Sequence, residues 1–193
     1  MKKRLSFFLI FLPFTFLAQE NMNLPYYEIP DAPETYTAAH VAARMIDGLG
    51  FRYYWASEGL RKEDLSYKPS EDGRTTEETI GHLFRLSRTI YNTVNGIPNV
   101  KVEEVEMSFD ETRKQTLEML YQASLKLRED PDLATLDVIF IQEDERTEFP
   151  FWNLINGPIA DAIWHCGQLV SFRRSSGNPY NSKASLFTGQ VRE

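Results

Sequence analysis

The feature that most constrains this sequence is a set of apolar stripes at helical spacing, bounded by residues that start and stop helices. Thr75 and Glu78, in the sequence TTEE, form a capping box in which each side chain accepts from the other's free backbone N–H. Residues 95–98 (NGIP) mark the end of the helix that follows. Its inner stripe consists of Ile80, Leu83, Phe84, Ser87, Ile90 and Val94. This pattern predicts an amphipathic helix with one buried face.

Two more helices are predicted from similar patterns. Apolar residues recur at helical spacing over residues 35–59, where Gly48 and Gly50 either permit close packing of a neighbour or mark a bend. A second capping box over residues 108–111 (SFDE) opens another helix, which should end before Pro131.

The last helix is expected from about Pro158 to Ser175, and residues 151–157 form an alternative earlier turn of it, kinked at the proline. Residues 62–73 suit a loop because they are charged and contain proline and glycine. Residues 137–142 fit either a short strand or an extended connection. The sum predicts an all-α fold, a four-helix bundle over residues 35–178.

The two ends of the chain lie outside this predicted domain. Residues 1–18 combine a basic start, an apolar run and a small residue at Ala18, which is the layout of a secretory signal peptide. An uncleaved N-terminal anchor is the alternative. Residues 19–34 are predicted to be an extended arm, and residues 179–193 a C-terminal tail. We therefore expect export, most simply to the periplasm.

The net charge of the chain limits the classes of partner that it is expected to bind. Its formal net charge is −7, and removal of the signal peptide would take away three positive charges and no negative ones. Such an acidic surface disfavours nucleic acid and anionic membrane surfaces, and leaves a small-molecule substrate or a homodimer as the expected partners. Cys166 is the only cysteine, so neither an internal disulfide nor a lipid anchor at the signal junction is available.

The chain has three histidines, His40, His82 and His165, and each is a candidate for chemistry. Asp161 and His165 stand four residues apart, so both side chains project from one helix face. Such a pair binds one divalent cation in many helix bundles, whereas an exposed ion pair is the alternative. For His82 the alternative is a partly buried side chain bonded to a backbone carbonyl. His40 stands beside an alanine and is expected to pack or to lie at the surface.

Three segments resemble the DinB/YfiT superfamily. Residues 75–83 (TTEETIGHL) are similar to the start of that family's second helix, where histidine and leucine follow soon after the cap. Residues 159–169 (IADAIWHCGQL) are similar to its last long helix, which usually carries histidine, three residues, then histidine-arginine-glycine-glutamine. Residues 65–69 (LSYKP) resemble its link between the first two helices. The resemblance covers most of residues 35–178 and implies a four-helix bundle with three metal ligands.

Carried over by position, the resemblance implies that His82, Asp161 and His165 are the ligands, with Asp161 standing where the family usually has its other histidine. Two imidazoles and one carboxylate leave open positions and suit Zn, Ni, Mn or non-haem Fe. Cys166 replaces the usual arginine. It points about 100° away from His165 around the helix, so we expect a small buried residue rather than a fourth ligand.

The family includes thiol-dependent transferases and isomerases, so the resemblance implies a metal-dependent enzyme, either a thiol S-transferase or a hydrolase. Export favours the hydrolase, because low-molecular-weight thiols are kept reduced in the cytosol. Glu77, Glu78 and Gln168 are the nearest candidates for a general base, although helix capping explains the two glutamates better.

Two alternatives to an enzyme are a non-catalytic binding module and a metal-free remnant of the fold. Aromatic residues cluster in sequence near the ligand pair, where they either line a ligand pocket or, as we favour, pack between helices. They are Phe149, Phe151, Trp152 and Trp164.

Overall fold

The computed structural model of the chain describes residues 24–103 and 106–193. The predicted signal peptide, residues 1–18, and the first residues of the predicted arm lie outside the described residues. Among the described residues, none of the helices combines the length and the apolar character of a membrane-spanning segment. The fold in this part of the chain is mostly helical, with two small sheets.

Long helices form the body of the fold, and two single-turn helices accompany them. The long ones are α1 (Ala38–Ser57), α3 (Thr76–Val94), α4 (Phe109–Leu127) and α6 (Ala160–Ser175), and the short ones are α2 (Lys62–Leu65) and α5 (Phe151–Leu154). Helix α4 packs against α1 and α3, and α6 packs against the same two helices. Ile46, Leu83, Leu120 and Leu169 are fully buried between them. The long helices lie where the apolar stripes predicted them.

The two predicted helix starts differ in detail. At α3 the Thr75 hydroxyl accepts from the Glu78 N–H at 3.1 Å, and the Glu78 carboxylate accepts from the Thr75 N–H at 2.7 Å, which confirms that capping box. At α4 the Ser108 hydroxyl accepts from the Glu111 N–H at 3.2 Å. The Glu111 carboxylate instead accepts from the Gln115 amide at 2.8 Å, one turn later, so the second box is only half formed.

Helix α6 begins at Ala160, close to the predicted start at about Pro158, and a helical run from Phe151 leads into it, which confirms the earlier turn. A π turn, Ile155–Ile159, joins α5 to α6 and contains Pro158. Proline lacks the N–H that an α-helical turn needs, and the wider turn accommodates that loss without ending the helix.

An all-α fold is wrong for the segments between the helices. Strand β2 (Val138–Gln142) pairs antiparallel with β3 (Glu145–Phe149), and β1 (Asn99–Val100) pairs parallel with β2. Four of the five residues of β2 are β-branched or aromatic, which favours a strand, and Glu143 adopts a φ of 53° in the two-residue turn. All five residues of β3 are exposed, so its sequence carries no apolar pattern.

Both ends of the described chain pack against α1. Tyr26 is buried, and a Cβ at Gly50 would collide with its ring, which confirms close packing at this glycine. The predicted tail is not a simple extension, because it folds into a hairpin whose Gly189 carbonyl accepts from the Ile29 N–H at 2.8 Å. The hairpin strands are β4 (Ala184–Ser185) and β5 (Gln190–Val191).

The predicted loop over residues 62–73 begins with α2, whose Asp64 is fully buried. Its carboxylate accepts from Arg61 (backbone N 2.8 Å, Nε 2.9 Å, Nη2 2.8 Å), Ser176 Oγ (2.6 Å) and Asn178 Nδ2 (2.6 Å). These bonds hold α2 against the C-terminal end of α6. Sequence spacing missed this turn because two of the partners that bury Asp64, Ser176 and Asn178, lie far along the chain.

Candidate metal centre

Helices α3 and α6 bring the three predicted ligands together. His82 lies in the second turn of α3, which the Thr75 cap fixes at its start. Asp161 and His165 stand one turn apart near the start of α6, on the side that faces α3. Each of the three residues offers one ligand atom, and these atoms lie within 4.8 Å of one another.

The Asp161 carboxylate lies between the two imidazoles. Its Oδ2 is 3.1 Å from His82 Nε2, and its Oδ1 is 3.3 Å from His165 Nε2. The two rings meet edge to face, with centroids 4.6 Å apart and planes at 88°. Both histidines therefore direct Nε2 toward one carboxylate.

The centre is partly open to solvent. The side chains of His82 and His165 are 22% and 14% exposed, whereas that of Asp161 is 40% exposed. The imidazoles are thus held by packing, and solvent reaches the carboxylate side. A cation or small molecule can reach the group from that side.

Gln168 fixes the orientation of His165. Its amide oxygen lies 2.6 Å from His165 Nδ1, so the tautomer that carries its proton on Nδ1 donates to this oxygen and leaves the Nε2 lone pair for a metal ion. In that tautomer Nε2 lies 3.3 Å from Asp161 Oδ1, which is also an acceptor. Two facing acceptors repel each other unless a proton or a metal cation lies between them. Sequence reasoning named Gln168 only as a general-base candidate; the structure shows it as a partner of His165.

Electrostatics favour the neutral form of His82. Burial, the largest cause, lowers the pKa of His82, and the charges of His165 and Arg74 lower it further. The hydrogen bond with Asp161 raises the pKa but does not outweigh these effects. A neutral imidazole is the form that binds metals.

The remaining candidates lie elsewhere or have structural roles. His40 is near Thr35 at Nδ1 (2.8 Å to Oγ1) and Arg128 O at Nε2 (3.3 Å), and it is not part of the three-residue group. Cys166 is buried, and burial raises the pKa of its thiol to about 12, so it stays protonated as a small core residue. Glu78 is engaged in the cap of α3, and Glu77 is exposed beside it.

The aromatic cluster divides in two. Phe151 is buried, as the packing interpretation expects. Trp152 and Trp164 are each 73% exposed, so that interpretation was wrong for both tryptophans. Trp164 lies on α6, three residues after Asp161, and so borders the face that carries the ligands.

Comparison of the chain with protein-family models, with curated proteins and with solved structures finds no match. The function is therefore inferred from the geometry of the three-residue group. Two imidazole nitrogens and a carboxylate that converge from two packed helices can hold a metal ion.

Proposed function

We propose that this chain is an exported DinB-like metalloprotein that binds a divalent cation through His82, Asp161 and His165, and that its long helices form a bundle of that family's type. The observation that carries the proposal is the convergence of one ligand atom each from His82, Asp161 and His165 within 4.8 Å, with His165 Nε2 and Asp161 Oδ1 3.3 Å apart. A divalent cation between them satisfies both, and His82 supplies a third ligand from α3.

The donor set limits the cation. Two imidazoles and one carboxylate suit Zn, Ni, Mn or non-haem Fe(II), and three protein ligands leave positions for a substrate. When bound, such a cation lowers the pKa of a water molecule or polarises a carbonyl group. The exposed side of Asp161 gives a small-molecule substrate access to this position.

Among reactions, we favour hydrolysis over thiol transfer. The predicted signal peptide supports an exported protein, and reduced low-molecular-weight thiols are scarce outside the cytosol. The purified protein should therefore hydrolyse a simple aryl ester faster than it conjugates glutathione to an electrophile. Conjugation without ester hydrolysis would favour the transferase, and turnover of neither by metal-loaded protein would favour a non-catalytic binding module.

Metal content tests the proposal directly. The protein would be purified without a histidine tag or chelator, and metal measured by plasma mass spectrometry beside Asp161→Ala and His165→Ala. His40→Ala is the matched control, because this histidine lies outside the group. We expect near-stoichiometric metal in the wild type and control, and its loss in both ligand variants. A wild type that stays metal-free after incubation with divalent cations would refute the site and would favour the alternative that the chain is a metal-free remnant of the fold.

A further inference from the structure

Helix α6 presents two different faces. Asp161, His165 and Gln168 share one face, at about 100° per residue, and they form the candidate metal centre. Ile163, Val170 and Arg174 project from the opposite face, together with the residues next to them. The proposed metal site uses only the first face, so the second needs an explanation of its own.

A pocket of about 310 Å³ lies along this second face. Helix α1 forms one wall with Trp55 and Ala56, α6 forms the floor with Ile163 and Val170, and Tyr180 and the hairpin at Leu186 close the end. The volume is at the lower end of the range of roughly 300–1,000 Å³ for small-molecule sites. Its walls are mostly apolar, so the body of a ligand here would be apolar.

Two arginines, Arg52 and Arg174, supply positive charge to the lining, and no Asp or Glu of the described residues contributes to it. Other arginines of this acidic chain bind carboxylates: Arg113 binds Glu58 and Arg128 binds Asp47. Within residues 24–103 and 106–193, neither Arg52 nor Arg174 is within ion-pair distance of a carboxylate.

The contacts of these two arginines leave most of their guanidinium N–H donors available to bind a ligand. Arg52 Nη1 donates to the Gly48 carbonyl at 2.8 Å, which uses one of its five N–H donors. The guanidinium of Arg174 lies over the Tyr180 ring, 5.5 Å from its centroid. Arg173, the neighbour of Arg174, differs because it is buried and donates to the carbonyls of Trp55, Ala56 and Asn178.

We propose that this pocket binds a small carboxylic acid with an apolar body. A guanidinium fork matches the two oxygens of a carboxylate, and the apolar walls cover the rest of the molecule. A phosphate monoester also pairs with a guanidinium fork, so it is the competing ligand that the test below separates from a carboxylic acid. The site is independent of the metal centre, because it lies on the other face of α6.

The indole N–H of Trp55 provides a local readout. Trp55 lines the pocket and its Nε1 donates to the Tyr27 carbonyl at 3.1 Å. The chain has three tryptophans, so a ¹⁵N-labelled sample gives three indole signals. Trp152→Phe and Trp164→Phe, both at exposed positions, assign the other two by loss. We expect 3-phenylpropanoate to shift the Trp55 signal, and the uncharged 3-phenylpropan-1-ol to shift it far less at equal concentration.

Variants test both parts of the pocket. Arg52→Gln and Arg174→Gln should each weaken binding of 3-phenylpropanoate by about tenfold, whereas Arg146→Gln, at an exposed arginine of β3, should leave it unchanged. Gly167→Val should abolish binding, because Gly167 lines the pocket and the added side chain would take up space that the ligand needs. The protein itself has room for the change, since a Cβ at Gly167 meets no neighbour within 4 Å. A far-UV circular dichroism spectrum equal to that of the wild type reports that each variant is folded.

Three results would overturn the proposal. The first is no shift of the Trp55 signal by 3-phenylpropanoate at millimolar concentration. The second is equal binding of the alcohol, or equal weakening by Arg146→Gln, since either would show that the two pocket arginines do not recognise the acid. The third is tighter binding of phenyl phosphate than of 3-phenylpropanoate. Metal content measured on the same samples shows whether the metal site is intact, so failure of the pocket proposal can be distinguished from failure of the metal site.

Discussion

The Asp64 carboxylate joins α2 to the end of α6, and we predict that Asp64→Asn destabilises the fold without weakening the metal centre. The side chain is fully buried and accepts five hydrogen bonds. Ser176, one of its partners, follows Asp161 at a helical distance of roughly 22 Å, at 1.5 Å per residue. The change should therefore lower the free energy of unfolding while metal content at low temperature stays the same.

The size of the loss follows from the contacts. Asparagine keeps one acceptor oxygen. If this oxygen takes the position of Asp64 Oδ2, it retains the hydrogen bonds from the Arg61 N–H, Arg61 Nε and Asn178. The amide NH₂ then replaces Oδ1, and the Ser176 hydroxyl can turn to the Arg173 carbonyl at 3.0 Å. The bond from Arg61 Nη2 is lost. Because Arg61 is 50% exposed and regains water, we expect a loss of about 2 kcal/mol, within the range for one charged hydrogen bond.

Urea unfolding followed by circular dichroism measures this loss as a lower midpoint at unchanged slope. Thermal unfolding should show a decrease in Tm of roughly 4–8 °C for a chain of this size. Glu63→Gln is the control, since Glu63 is the exposed neighbour in α2 and should change stability by less than about 0.5 kcal/mol. An equal effect of the two substitutions, or a loss of metal in Asp64→Asn, would refute the reasoning.

The contact between Arg61 and Asp64 also makes the stability of the fold depend on pH. Hydrogen bonds from Arg61, the largest cause, lower the pKa of Asp64 in the folded protein. Its stabilising effect is therefore complete above the unfolded pKa of about 3.9 and is lost as pH falls through the lower folded pKa. The stability difference between wild type and Asp64→Asn should be constant from about pH 7 to pH 5 and should shrink below about pH 4.

Three further predictions concern the metal centre and the packing of the arm. Gln168→Leu removes the acceptor of His165 Nδ1–H and should weaken metal binding about 10–100-fold, measured by competition with a chelating dye. Burial lowers the pKa of His82 in the metal-free protein, so its stabilising effect is present above the unfolded pKa of about 6.5 and is lost as pH falls. The stability difference between chelator-treated wild type and His82→Asn should therefore decrease between about pH 7 and pH 5 in urea titrations. Gly50→Ala places a methyl group against the Tyr26 ring and should cost about 1–3 kcal/mol in unfolding free energy.

Each of these has a matched control or a result that would contradict it. Gln168→Glu keeps an acceptor and should retain most of the metal affinity, so an equal loss in both variants would contradict an orienting role. A difference between wild type and His82→Asn that does not change with pH would contradict the direction of the His82 pKa. Gly167→Ala, where a Cβ meets no neighbour, should stabilise the helix by up to about 1 kcal/mol. A cost equal to that of Gly50→Ala would show that crowding by Tyr26 is not the cause.

Local signals in the sequence determined where the long helices lie. The cap at Thr75 and Glu78 involves residues three apart, and Gly96 and Gly177 follow helix ends with φ values of 67° and 82°. The shared face of Asp161 and His165 is likewise set within one helical turn. Such features depend on neighbours along the chain, and so they can be predicted from residue order alone.

Partners far apart in the sequence were decided by the tertiary structure. His82 and Asp161 meet across 79 positions, and without the family resemblance nothing in either segment predicts this contact. The parallel pairing of β1 with β2, the hairpin on α1 and the burial of Asp64 against α6 were not predicted for the same reason. The pocket with Arg52 and Arg174 exists only where α1, α6 and the hairpin come together. These contacts result from packing of whole elements, whose geometry no local spacing encodes.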